Sequence, residues 1–213
     1  MDGRAVDQAV RELVRPALKD VGFDRFAGRS AWRRHGQTVD LVVFRSFTTY
    51  LASSVGCTTF SFAVTAGVFY QCTAATDNSR PKDHELTFRF ELGKSLPQPY
   101  FRPHGREETS DRPDVWYVLP DGSNLVDCVN DARHAICTAG LPLIDRFTQA
   151  PDAYRALLTE TSRNTEFGGA GVTMPGAPDS PRWRDTTLAI GHLVTENPRR
   201  DMWNAPVLDH AKT

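Results

Sequence analysis

Apolar positions recur at three- and four-residue steps through the first twenty or so residues. Val6, Ala9, Val10, Leu13, Val14, Ala17, Leu18 and Val21 form one stripe, and Asp7, Arg11, Glu12, Arg15 and Lys19 take the other side. That spacing predicts an amphipathic helix. Pro16 removes one backbone donor inside it, which predicts a kink rather than a stop. Gly22 suits the left-handed position past the helix end, with Phe23 folding back on the last turn.

The period then shortens to two. Ala31 to His35 is a short strand, His35-Gly36-Gln37 a tight reversal, and Thr38 to Phe47 a β-branched and apolar strand. In Cys57 to Tyr70, Phe60, Phe62, Val64, Ala66 and Val68 alternate with Thr59, Ser61, Ala63, Thr65 and Gly67. Leu86, Phe88, Phe90 and Leu92 alternate with Glu85, Thr87, Arg89 and Glu91, and Val115 to Leu119 is a fifth, shorter piece. Strands in sequence with no helix between them predict an antiparallel meander, and strict alternation predicts a sheet with one packed and one polar face.

A helical period returns after Asp121-Gly122. Ser123 or Asn124 caps it, Leu125, Val129, Ala132, Ile136 and Ala139 make the stripe, and Gly140 and Pro142 end it. Leu143, Ile144 and Phe147 begin another turn or two, and Pro151 opens a helix with Tyr154, Leu157 and Leu158 on its apolar side. Ser180-Pro181 starts the last helix, with Trp183, Thr187, Ile190, Leu193 and Val194 inward. The expected architecture is therefore α+β: an N-terminal helix, an antiparallel sheet of about five strands and C-terminal helices packed on one face. Residues 1–160 make the α+β domain. Residues 161–180, rich in glycine and proline, are a mobile loop or linker, and 181–213 are a C-terminal helix with a docking tail. Residues 95–114, with Pro97, Pro99, Pro103 and Pro113, are a second irregular stretch.

Composition narrows the function classes. The 213 residues carry 25 basic and 26 acidic side chains, which argues against a polyanion-coating protein, and 40% hydrophobic residues exclude global disorder. No run approaches the roughly 20 apolar residues that span a bilayer, and the start lacks a signal-peptide pattern, so the expectation is a soluble cytoplasmic protein with no membrane contact. The charge is uneven: residues 107–131 hold one basic and seven acidic groups. Cys57, Cys72, Cys128 and Cys137 form no C-x-x-C pair, and Cys128, His134 and Cys137 have poor spacing for a tetrahedral site. They read as reduced, buried thiols, with no metal and no cofactor implied.

The order Leu18-Lys19-x-x-Gly22-Phe23, Trp32-Arg33-Arg34, Phe44-Arg45-Ser46 and Phe62-x-x-Thr65-x-Gly67-Val68 resembles an uncharacterised bacterial domain-of-unknown-function family (DUF4304-like). Arg89, Trp116 and Gly140-Leu141-Pro142 fit its later strands and helices, and the resemblance covers roughly residues 7 to 160. It implies the fold and no established activity. Phe44 stands where the family carries glutamine, and Thr65 where it carries asparagine.

No Walker A loop, G-x-G-x-x-G, H-E-x-x-H, G-x-S-x-G or EF-hand loop is present. The polar sheet face is then the place to look. Thr65 and Arg89 project from it, with Ser46 and Asp40 joining according to register, and the planar Arg89 fork suits an anion. The plainer alternative is an ion pair between Arg89 and Glu85, Glu91 or Asp40. Trp32 and Arg33 extend a basic run from Arg25 to Arg34 that offers a nucleic-acid contact, a weaker reading for a near-neutral chain. Trp116 is either core or pocket wall. These features predict a non-enzymatic interaction or ligand-binding module taking a protein partner or a small anionic ligand, and analogy with bacterial proteins of this size adds the expectation of an immunity or accessory type. The alternative is a small hydrolase or transferase assembled from separated residues such as Arg89, Ser46 and His84.

Overall fold

Val6, Val10, Val14 and Leu18 are four residues apart and all buried. In a straight α-helix three such steps turn the stripe by about 120°, away from the core. The helix corrects this by widening. In the computed structural model, which describes residues 3–74, 77–94, 96, 112, 114–160, 172–173 and 180–195, α1 (Gly3–Ala9) and α2 (Arg15–Asp20) are joined by a π turn, Val10–Val14. Its i→i+5 bonding takes up one extra residue. Pro16 lies just beyond it, so the predicted irregularity is a wide turn. α2 closes as expected: Gly22 has φ 91°, and the Phe23 N–H reaches the Leu18 carbonyl at 3.0 Å. Val21 falls outside the stripe and is exposed.

β1 (Arg25–Ala27), β2 (Ser30–His35) and β3 (Thr38–Ser46) form an antiparallel meander. A helix unforeseen in the sequence follows, α3 (Thr49–Val55). The Thr48 hydroxyl accepts from the Leu51 N–H at its start, and Gly56 sits at φ 72° at its end. β4 (Phe62–Tyr70) pairs with β3 along its whole length. Its other edge receives β5 (Phe88–Glu91) and β6 (Val115–Trp116), and β7 (Val172–Thr173) adds to β5. Two residues of the segment read as a loop thus extend the sheet. The rest of that loop, most of the proline-rich stretch and the expected docking tail lie outside the described residues.

The same four-residue spacing reappears later: Cys128, Ala132, Ile136, Gly140 and Ile144 are all buried. Here α4 (Leu125–Ala135) runs through a second π turn, Ile136–Gly140, into α5 (Leu141–Thr148). Gly140 and Pro142 therefore do not end the helix. Proline two residues past a wide turn is accommodated, as at Pro16. A side chain at Gly140 would press on Leu92, 3.1 Å from its Cδ1. α6 (Ala150–Glu160) and α7 (Pro181–Thr195) complete the layer, with the Ser180 hydroxyl accepting from the Trp183 N–H at 3.2 Å. The helices and one sheet face enclose a single core that includes Phe44, Phe62, Phe88, Phe90, Trp116 and Phe147. Among the described residues no helix is long and apolar enough to cross a membrane.

The second sheet face departs from the expected polar surface. Trp32, Val39, Leu41, Phe69 and Leu86 form a separate buried cluster there. The segment before β5 folds over it, and the Trp32 indole N–H donates to the Pro81 carbonyl at 3.0 Å. Gly67 makes this closure possible, because a Cβ at that position would overlap the Phe88 carbonyl oxygen and come within 2.7 Å of Leu86 Cδ1.

Candidate functional site

The register divides the predicted site residues between the two faces. Asp40 and Ser46 share the helix-facing side of β3 with Val42 and Phe44, while Thr65, Arg89 and Glu91 lie on the other. Ser46 is held by Arg29, which also bonds Asp7 and the Gly3 carbonyl. His84 is exposed beside Asp83. Arg89, Ser46 and His84 are therefore not brought together. The basic run also disperses. Arg33 is buried on the helix side, Trp32 is buried on the opposite side, and Arg34 is exposed beside Asp77. Trp116 belongs to the core, stacked on Phe62 at 5.9 Å with its indole N–H donating to Asp131 at 2.7 Å.

Two arginine centres result. Arg33 donates to Asp40 at 2.8 Å, to Asp145 at 2.7 Å and to the Val21 carbonyl at 2.9 Å, and its guanidinium lies 5.1 Å from the Phe23 ring centroid. The Thr148 hydroxyl, whose one proton is shared with the Ile144 carbonyl at 2.8 Å, meets the other Asp40 oxygen at 3.0 Å. Burial pushes the Asp40 carboxyl above its ordinary value, against the pull of Arg33. This centre ties β2 and β3 to the end of α2 and to α5.

Arg89 pairs with Glu91, two residues along its own strand, as the plainer sequence reading allowed. Glu91 also meets Arg45 at 3.5 Å, and Arg45 meets Asp83 at 3.4 Å. Two buried atoms here have no hydrogen-bond partner among the described residues, Arg89 Nε and the Thr65 hydroxyl. Thr65 stands opposite Glu91 in the β4–β5 register, and Arg89 opposite Gly67. Thr65 and Arg89 are therefore diagonal neighbours on one face, a separation a long side chain spans.

Beyond the end of β4 lies a cleft of about 340 Å³ lined by Phe69, Cys72, Thr73, Glu85, Thr87, Arg182, Asp185 and Thr186. The turn after β4, the segment entering β5 and the first turns of α7 build it. No spacing in the sequence marks these residues, because α7 lies far along the chain from the strands that form the sheet wall. Arg182 and Asp185, one helical turn apart, have no ion-pair partner among the described residues. Desolvation pushes the Cys72 thiol up, which keeps it protonated at neutral pH. The cysteines were expected to be buried, but only Cys128 is; Cys72 and Cys137 are exposed and Cys57 is half-buried. Among the described residues no group of three or more His, Cys, Asp or Glu side chains is arranged to hold a metal ion.

No family model, curated protein or solved structure matches the chain.

Proposed function

We propose that this protein is a non-enzymatic binding module that holds a small polar ligand in the cleft between the sheet and α7. The observation that carries the reading is the cleft itself. It has the volume of a small-molecule pocket, and a cation and a carboxylate with no ion-pair partner among the described residues, Arg182 and Asp185, line it. Three features favour binding over catalysis. The one thiol in the described lining is held protonated, no histidine is among the described lining residues, and Ser46 lies on the opposite sheet face from Arg89. The role is an accessory one, recognition without turnover. Thermal unfolding against a panel of small polar molecules tests it. A ligand of the cleft raises the stability by about 2.7 kcal/mol at a hundredfold excess over its Kd. Thr186→Trp, which fills the cleft, abolishes that gain. Turnover of the bound compound, or binding indifferent to Thr186→Trp, would remove the reading.

A second reading concerns an oxyanion at Thr65 and Arg89, and the two unpartnered buried donors favour it. It predicts stabilisation by sulfate or a small carboxylate that Arg89→Gln abolishes and Thr186→Trp leaves intact.

A further inference from the structure

We infer that the cleft recognises its ligand through an ammonium group, so that the ligand is a small amine or a free amino acid. The inference rests on the cleft being the binding site and adds the chemistry of the ligand. It follows from counting protons on the cleft floor. A threonine hydroxyl has one proton to donate and two lone pairs. Thr73 gives its proton to the Tyr70 carbonyl at 2.7 Å. The 3.3 Å contact between the Thr73 and Thr87 hydroxyls is then donated by Thr87. Thr87 meanwhile accepts from the Tyr70 N–H at 3.0 Å. Both protons are consumed inside the protein, and what the floor offers a ligand is oxygen lone pairs.

The walls reinforce that polarity. Glu85 uses Oε2 to accept the Lys82 N–H at 2.6 Å, which leaves Oε1. Asp185 brings a second carboxylate from α7, and Phe69 contributes an aromatic ring, which attracts cations. An ammonium group, with three donors and a positive charge, satisfies the acceptors of Thr73, Thr87, Glu85 and Asp185; a carboxylate or phosphate alone meets donors only on the α7 wall, at Arg182 and Thr186. Arg182 is the one cation in the described lining, three residues before Asp185 on the same helix. It separates the two sources of an ammonium group, because it pairs with the carboxylate of an amino acid and repels the second charge of a diamine.

Isothermal titration of the full chain with butylamine, 1,4-diaminobutane, lysine and succinate tests this. Saturable binding is expected from amine-bearing probes and not from succinate. Asp185→Asn and Glu85→Gln each weaken it about tenfold or more, and the amide oxygen introduced by Glu85→Gln still accepts the Lys82 N–H. Arg182→Gln weakens lysine and spares butylamine if the natural ligand is an amino acid, and improves diaminobutane if it is a diamine. Circular dichroism reports that each variant is folded. Succinate binding in place of the amines overturns the ammonium assignment and leaves the cleft reading standing, as does amine binding that both carboxamide variants preserve. Failure of every probe, amine and anion alike, removes both.

Discussion

Arg33 and Arg89 both sit in the middle of strands, face a carboxylate nearby and are largely withdrawn from water, yet their surroundings differ. Arg33 spends its donors on Asp40, Asp145 and the Val21 carbonyl, and each of those acceptors belongs to a different part of the fold. Among the described residues Arg89 reaches only along its own strand to Glu91 and leaves Nε without an acceptor, diagonal to a buried hydroxyl in the same state. The first arrangement is complete and structural. The second is incomplete among the described residues. The same residue type thus marks a completed joint in one place and an incompletely paired centre in the other, and the count of satisfied donors among the described residues tells them apart.

The largest effect expected from this contrast is at Arg33. Arg33→Met leaves Asp40 buried without its counter-charge and should cost about 3–5 kcal/mol by urea denaturation. Arg89→Met, whose partner Glu91 also meets Arg45, should cost clearly less, and equal losses would erase the distinction. Gly67→Ala comes next, at about 1–3 kcal/mol, because the added methyl strikes the Phe88 carbonyl and Leu86 across the strand pair. Thr65→Val should leave stability unchanged or raise it by about 1 kcal/mol, since it removes a buried hydroxyl that has no partner among the described residues. A loss there would mean that the hydroxyl is satisfied after all. The smallest effect is a slope. With its folded pKa above the unfolded value, Asp40 contributes stability that is full below about pH 3.9 and declines as pH rises through the raised value. Subtracting the pH–stability curve of Asp40→Asn from that of the wild type isolates this slope, and a difference of opposite sign would contradict the burial argument.

Local signals were legible in the sequence where one element carries its own instructions. The Gly22–Phe23 reversal, the Gly36 hairpin, the alternation of β4 and the Ser180 cap all appear where spacing and residue type place them. The α3 helix escaped notice because it has no stripe: only Ala52 is buried, while Tyr50 and Leu51 face outward. The second apolar cluster escaped because its members sit at alternate positions of β2, β3 and β4, and a lid before β5 converts an apparent surface into an interior. Pro142 misled because a proline's effect depends on the turn before it, and that turn is wide. Arg33 read as one of a basic run, since nothing local reports that Asp145, more than a hundred residues away, will reach it. The cleft has the same origin, with walls supplied by segments that meet only in the folded chain.

The two wide turns have a consequence for chain length. Each holds one residue more than an α turn spanning the same stretch of helix, and each does so where neighbouring side chains point outward, at Arg11 and Glu12 in one case and Cys137 and Thr138 in the other. By this measure the chain is two residues longer than straight helices would need for the same packing. These two sites are therefore where a one-residue deletion straightens a helix while leaving the elements on either side in place.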